Sequence, residues 1–179
     1  MTQVGINYAQ ALYDLARDEN LTSEILQQLQ TLDESFHEAP DFVRLLGAPN
    51  LTKEERCHIL DQSFRGKVHP YVLNFLKILT ERGYARYFGD CRKAFEDQYN
   101  QDNGILPVCA VTAVPLSETQ FEKLAQKLGD ITGKTVKLNN RVDPACLGGV
   151  RLIYDGKQVD GTVQNRLDTI GNLLKNTVL

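Results

Sequence analysis

The residues of this chain that could do chemistry are scattered, and their spacing limits what they can do. The four cysteines, Cys57, Cys91, Cys109 and Cys146, form no C-x-x-C pair, whereas a zinc site draws on close pairs of ligands. Cys57 adjoins His58, but neighbours on a helix point about 100° apart and rarely share a metal. No metal site is expected, and the cysteines read as reduced, mostly buried thiols. His37, His58 and His69 fall in or between expected helices, with no nucleophile or carboxylate set beside them in a strand–loop setting. They read as exposed or capping residues. Asp33-Glu34 and Glu54-Glu55 read as solvated helix surface and first-turn charges rather than an acid–base pair.

Cofactor motifs are missing as well. The sequence contains no G-x-x-x-x-G-K-[ST], G-x-G-x-x-G, H-E-x-x-H or G-x-S-x-G. Gly148-Gly149 could bring backbone amides near an anion, but it reads as a tight turn into a strand at Val150. Arg82, Arg86, Arg92 and Lys93 are interleaved with Tyr84, Tyr87 and Phe88, a mixture that can bind single-stranded nucleic acid. Glu81, Asp90, Glu96 and Asp97 sit among them and cancel the field. The reading is therefore of a protein with no catalytic, cofactor or metal residues that works by binding other proteins.

The elements that would carry such binding are legible. Tyr8, Ala11, Leu12, Leu15 and Ala16 recur at helical spacing, and Ile25, Leu29, Leu32 and Phe36 form a second stripe. Pro40 can start a short helix that Gly47 and Pro49 end. Thr52-Lys53-Glu54-Glu55 is a capping box, opening a helix to about Phe64, before Gly66. Pro70 opens a helix containing Val72, Leu73, Phe75, Leu76, Ile78 and Leu79, apolar on more than one side. Such a helix is central to a bundle or lines a groove for a partner. Gly83 ends it, and a last helix is expected from about Tyr84 to Tyr99. Six helices with short connections predict a bundle.

The pattern changes at Asn100–Gly104, a polar, turn-rich stretch that predicts a boundary between residues 1–103 and 104–179. Beyond it, Leu106–Val114 reads as a strand. Ser117-Glu118-Thr119-Gln120 is a second capping box for a helix closed by Gly129 and Gly133, and Val136–Asn140 is a second strand. Val150–Tyr154 and Lys157–Asp160 flank Asp155-Gly156, a two-residue hairpin signal. A final helix is expected with Val163, Leu167, Ile170 and Leu174. The fold class is α+β overall: an N-terminal six-helix bundle followed by a small mixed α/β domain, with a parallel strand–helix–strand unit extended by the hairpin.

Composition agrees. Of 179 residues, 42% are hydrophobic, enough for two small cores. No apolar run reaches the roughly 18–20 residues of a membrane span, and the N-terminus lacks the features of a signal peptide. Residues 1–103 carry 11 Lys/Arg against 16 Asp/Glu, and residues 104–179 carry 9 against 7. An acidic half and a faintly basic half argue against a nucleic-acid binder.

The chain resembles the delta subunit of the F-type ATP synthase, the family of the oligomycin-sensitivity-conferring protein. Tyr8-Ala9-Gln10-Ala11-Leu12-Tyr13-Asp14-Leu15-Ala16 is similar to the opening helix of that family. In the last third, Val142-Asp143-Pro144, Leu147-Gly148-Gly149-Val150-Arg151-Leu152, Asp160-Gly161-Thr162-Val163 and Arg166-Leu167 resemble its C-terminal signature. Val142, Asp143, Gly148, Gly149, Asp160, Gly161 and Arg166 carry that likeness.

The resemblance implies a non-catalytic stator subunit without cofactor or metal, one copy per complex. Residues 1–103 would bind N-terminal helices of alpha subunits, and residues 104–179 would bind the C-terminal ends of the b subunits. It would lie peripherally on the cytoplasmic face of the membrane, without inserting, and contact no nucleic acid. The family's groove for the alpha helix lies between the first and fifth helices, which implies Tyr8, Leu12, Leu15, Phe75, Leu76 and Leu79 as its lining. The alternatives are an unrelated helical-bundle adaptor that binds an amphipathic helix, and an enzyme whose site carries none of the motifs above.

Overall fold

The computed structural model describes residues 2–48, 50–146 and 148–161. Among them the chain is α+β, with seven α-helices and one mixed four-stranded sheet. It divides into two compact units, Met1–Tyr99 and Asn100–Leu179.

The first unit holds α1 (Gln3–Asp18), α2 (Thr22–Glu38), α3 (Pro40–Leu46), α4 (Lys53–Phe64), α5 (Pro70–Glu81) and α6 (Phe88–Asp102), the last running into the second unit. Local chemistry starts most of them. The Thr2 hydroxyl accepts the Gly5 N–H at the head of α1. Pro40 and Pro70 occupy first-turn positions of α3 and α5, where a missing N–H costs nothing. At α4 the Glu55 N–H donates to the Thr52 hydroxyl (3.2 Å) and the Thr52 N–H to the Glu55 carboxylate (2.8 Å), completing the expected capping box. His69 caps α5, its Nδ1 accepting the Tyr71 N–H at 3.3 Å.

Packing then selects which faces close. Ala9, Leu12, Tyr13 and Ala16 of α1 join Ile25 and Leu29 of α2, Leu76 and Leu79 of α5, and Phe95 of α6 in one core. Tyr13 meets Phe95 edge-on at 5.1 Å, and Phe36 meets Phe88 edge-on at 5.0 Å. Leu60 and Leu79, both fully buried, each contribute about 1.5–3 kcal/mol by leaving water. Arg92 of α6 adds a polar clamp: it donates to Asp33 of α2 at 2.8 Å and to Glu96 at 2.7 Å.

The second unit contains β1 (Ile105–Thr112), α7 (Glu118–Thr132), β2 (Thr135–Val142), β3 (Val150–Tyr154) and β4 (Lys157–Asp160), in sheet order β2-β1-β3-β4. β1 and β2 are parallel, joined through α7, and β3 and β4 add antiparallel strands. Ser117 and Gln120 form the expected capping box of α7, and Gly133 ends it in the left-handed region at φ 66°. Asp155 (φ 48°) and Gly156 (φ 68°) give the hairpin two consecutive positive φ values, which match the twist of the strands they join. The Asn140 side chain ties the unit together. Its amide donates to the Ala110 carbonyl and the Thr112 hydroxyl, both at 2.9 Å, and its oxygen accepts the Leu116 N–H at 2.9 Å.

Three sequence expectations shift. Asn100, Gln101 and Asp102 continue α6, and only Asn103 and Gly104 form the turn. Asn100 is buried, so packing overrides its turn preference. The segment from Tyr84 opens with a 3₁₀ turn, Ala85–Tyr87, before α6. The first strand ends at Thr112, whose hydroxyl donates to the Val114 carbonyl and takes the chain out of the sheet. The final helix and Arg166 lie outside the described residues.

Candidate partner-docking site

The α1 helix presents two apolar faces. Leu12, with Ala9, Tyr13 and Ala16, points inward. Val4, Tyr8, Ala11 and Leu15 run along another side at steps of four, three and four, half-buried or exposed, with Leu15 at 42%. This second stripe has the i, i+4, i+7 rhythm that an incoming amphipathic helix can match. The sequence had placed Tyr8, Leu12 and Leu15 on one face. The structure puts Leu12 in the core and keeps Tyr8 and Leu15 for the surface.

Phe75, Leu76 and Leu79 of α5 are all buried, so the richly apolar character of this helix reflects a central position. They stand behind the surface and do not line it. The exposed apolar residue of α5 is Ile78, at 46%. The sequence signal for it existed: Ile78 is apolar and one position off the Phe75, Leu76, Leu79 stripe. The two helices connect at Tyr8, whose ring meets that of Tyr84, just beyond α5, edge-on at 5.9 Å.

The signature residues of the second unit make its joints. The Asp143 N–H donates to the Thr112 carbonyl at 2.8 Å, and its carboxylate accepts the Ala145 N–H at 3.0 Å. Gly149 adopts φ 85° entering β3. Asp160 pairs with Arg151 at 3.3 Å across β3 and β4. The Gly161 N–H donates to the Val150 carbonyl at 3.1 Å, where an added Cβ would stand 3.2 Å from that oxygen. Val142 and Val159 lie on the edge strands, both partly exposed and on the same face, since Thr112 pairs with Val142 and Ala110 reaches Val159 through Leu152. α7 contributes no fully buried residue. The second unit thus also has apolar surface to spare.

Among the described residues, none of the cysteines or histidines assembles into a catalytic centre. Burial pushes the Cys91 thiol up to about 12, and burial together with Glu81 pushes Cys57 up, the opposite of an activated nucleophile. No group of three or more potential metal ligands occurs among the described residues.

The model of the family described as ATP synthase delta (OSCP) subunit matches residues 4–174. The chain belongs to that family. Among relatives of the delta subunit, that of Clostridioides difficile (strain 630) is 32% identical over 172 residues, covering 96% of this chain and 95% of its own. The delta subunit of Alkaliphilus oremlandii (strain OhILAs) is 31% identical over 176 residues, covering 98% of each. The fold matches a chain in the cryo-EM structure of the Toxoplasma gondii mitochondrial ATP synthase hexamer with a TM-score of 0.76 at 19% identity, over 97% of this chain and 98% of that one. As a delta subunit the protein is structural rather than catalytic, and its role in the ATP synthase is that of the stator. No described helix is long and apolar enough to cross a membrane.

Proposed function

We propose that residues 1–103 act as a six-helix bundle that receives N-terminal helices of alpha subunits, while residues 104–179 anchor the C-terminal ends of the b subunits. A single copy then resists the torque that would turn the catalytic hexamer with the rotor, at the cytoplasmic face of the membrane. The supporting observation is the Val4, Tyr8, Ala11, Leu15 stripe with Ile78 beyond it. Apolar surface that runs continuously along a helix costs solubility and is kept where a partner covers it. Val142 and Val159, beside the Asp143, Gly149 and Gly161 joints, support the second contact.

The test is co-purification followed by a face-specific substitution. A tagged chain should bring down alpha, beta and b subunits from a gentle membrane extract. Ile78→Asp should release alpha while leaving the helical content of the chain intact, because a charge would be desolvated in the contact. Isolation of the chain alone would remove the stator assembly.

A further inference from the structure

β2 is an edge strand. Its only strand partner among the described residues is β1, and the order β2-β1-β3-β4 leaves its other side open. The register decides which backbone groups are left over. The Thr135 N–H donates to the Gly104 carbonyl, and the Asp143 N–H to the Thr112 carbonyl. In a parallel pair each residue turns its N–H and C=O to the same side, and the side alternates along the strand. Thr135, Lys137, Asn139 and Arg141 therefore bond to β1. Val136, Leu138 and Asn140 turn their backbone groups outward, where none meets a backbone partner among the described residues.

The side chains alternate as well. Thr135, Lys137, Asn139 and Arg141 are exposed, while Val136, Leu138 and Asn140, on the opposite face, are half-buried. α7 packs against that second face of β2, and the Leu116 N–H just ahead of it reaches Asn140 at 2.9 Å. No residue of α7 is fully buried, so the cover over Val136 and Leu138 is incomplete. A further strand beside β2 would continue this apolar row and bury more of it.

Charge on the exposed face sets the chemistry of that strand. β1 carries no charged residue, and the charged residues of β2 are Lys137 and Arg141. Arg141 makes no ion pair among the described residues. Farther across the same face Arg151 and Asp160 hold each other at 3.3 Å. Asp143, just past the strand, has its carboxylate on the Ala145 N–H at 3.0 Å. Glu118, Glu122 and Asp130 belong to the helix on the other face, with Lys123 and Lys127 among them. The exposed face at this edge is basic. A second copy paired antiparallel about Asn139 would set Lys137 directly against Arg141, like charge on like charge.

We propose that the edge of β2 takes an added strand from an extended segment of a partner protein in which acidic and apolar residues alternate. Its acidic side chains lie beside Lys137 and Arg141, and its apolar ones continue the row of Val136 and Leu138 under α7. Main-chain bonds to Val136, Leu138 and Asn140 supply the grip, and the side chains select the sequence. The contact uses backbone groups of one edge, so it stands or falls separately from both docking readings above.

The test uses the full chain, isotope-labelled, with a short synthetic peptide of alternating valine and glutamate. Hydrogen exchange should slow at the Val136, Leu138 and Asn140 amides, with no new protection at β4. Protection that gathers at β4, or none anywhere, overturns the proposal. The same peptide with lysine for glutamate should bind about fivefold more weakly at low salt, the gap narrowing at high salt. Equal binding of the two peptides overturns it. Arg141→Glu should weaken the glutamate peptide to a similar degree while leaving the thermal midpoint unchanged, and unchanged affinity in that variant overturns it too. Dimerisation of the chain alone, with protection of the same three amides, would make a second copy the occupant and also overturn it.

Discussion

Gly5 of α1 lies against Asp90 of α6, so closely that a Cβ added to Gly5 would stand 2.8 Å from the Asp90 Cβ and 3.2 Å from its backbone carbon. The same aspartate accepts the Thr2 backbone N–H at 2.8 Å, so the helix start that Thr2 caps is also pinned to α6. The missing side chain at Gly5 permits the approach.

Gly5→Ala should therefore destabilise the protein despite the better helix propensity of alanine. The steric cost of about 1–3 kcal/mol exceeds the gain of about 1 kcal/mol. Thermal unfolding should show a midpoint lower by several degrees. A raised midpoint would mean that α1 and α6 separate cheaply.

Acid should loosen the same region. The Thr2 hydrogen bonds hold the Asp90 carboxyl below its ordinary range, and Lys77 and Arg65 do the same for Asp61. A carboxyl lowered in the folded state contributes its stability above the unfolded value of about 3.9 and loses it as pH falls below that. Asp90→Asn should be less stable than the parent at pH 7, and the gap should close towards pH 3. Urea titrations at the two pH values measure it, and a gap independent of pH would refute the assignment.

Leu76 and Ile78 should separate core from contact. Leu76→Asp places a charge where the parent side chain is 3% exposed and should cost upwards of 3 kcal/mol, visible as loss of the folded state. Ile78→Asp should leave circular dichroism and unfolding nearly unchanged. Equal damage from both would mean that Ile78 belongs to the core.

In the second unit Asn140→Ala removes the partner of the Ala110 carbonyl, the Thr112 hydroxyl and the Leu116 N–H at once. The expected loss is about 1–3 kcal/mol. Hydrogen exchange should locate it, with the Leu116 amide losing protection before the interior of α7.

Cys91 should resist alkylation. It is 1% exposed and its thiol is pushed up to about 12 by burial and Asp90, so almost no thiolate exists at pH 8. Mass spectrometry after native iodoacetamide treatment should find Cys91 unmodified until denaturant is added.

These experiments divide along the line between local and long-range information. The two capping boxes, the proline starts, the glycine stops and the Asp155-Gly156 hairpin were readable in the sequence because each depends on residues within four positions of one another. The family was readable for a related reason: Asp143, Gly149, Asp160 and Gly161 are joint residues whose geometry tolerates few substitutes. The parallel pairing of β1 with β2 followed from a strand–helix–strand order.

Burial within α1 and α5 was only partly legible. The α5 segment was read as apolar on more than one side and α1 as carrying one apolar stripe, but Leu12, Phe75, Leu76 and Leu79 are buried in the core, while Ala11, Leu15 and Ile78 are exposed. Leu12 and Leu15 stand about 60° apart around one helix, and both suit either environment. Hydrophobic periodicity reports that a helix has an apolar arc. It does not report how much of that arc the neighbouring helices cover, because those neighbours come from positions up to ninety residues away in the chain. The sequence by itself determined where most of the described helices start, through caps and prolines, and that none of the common catalytic motifs is present. The packing of α1 against α2 and α6 decided which leucine is buried and which is left facing outward.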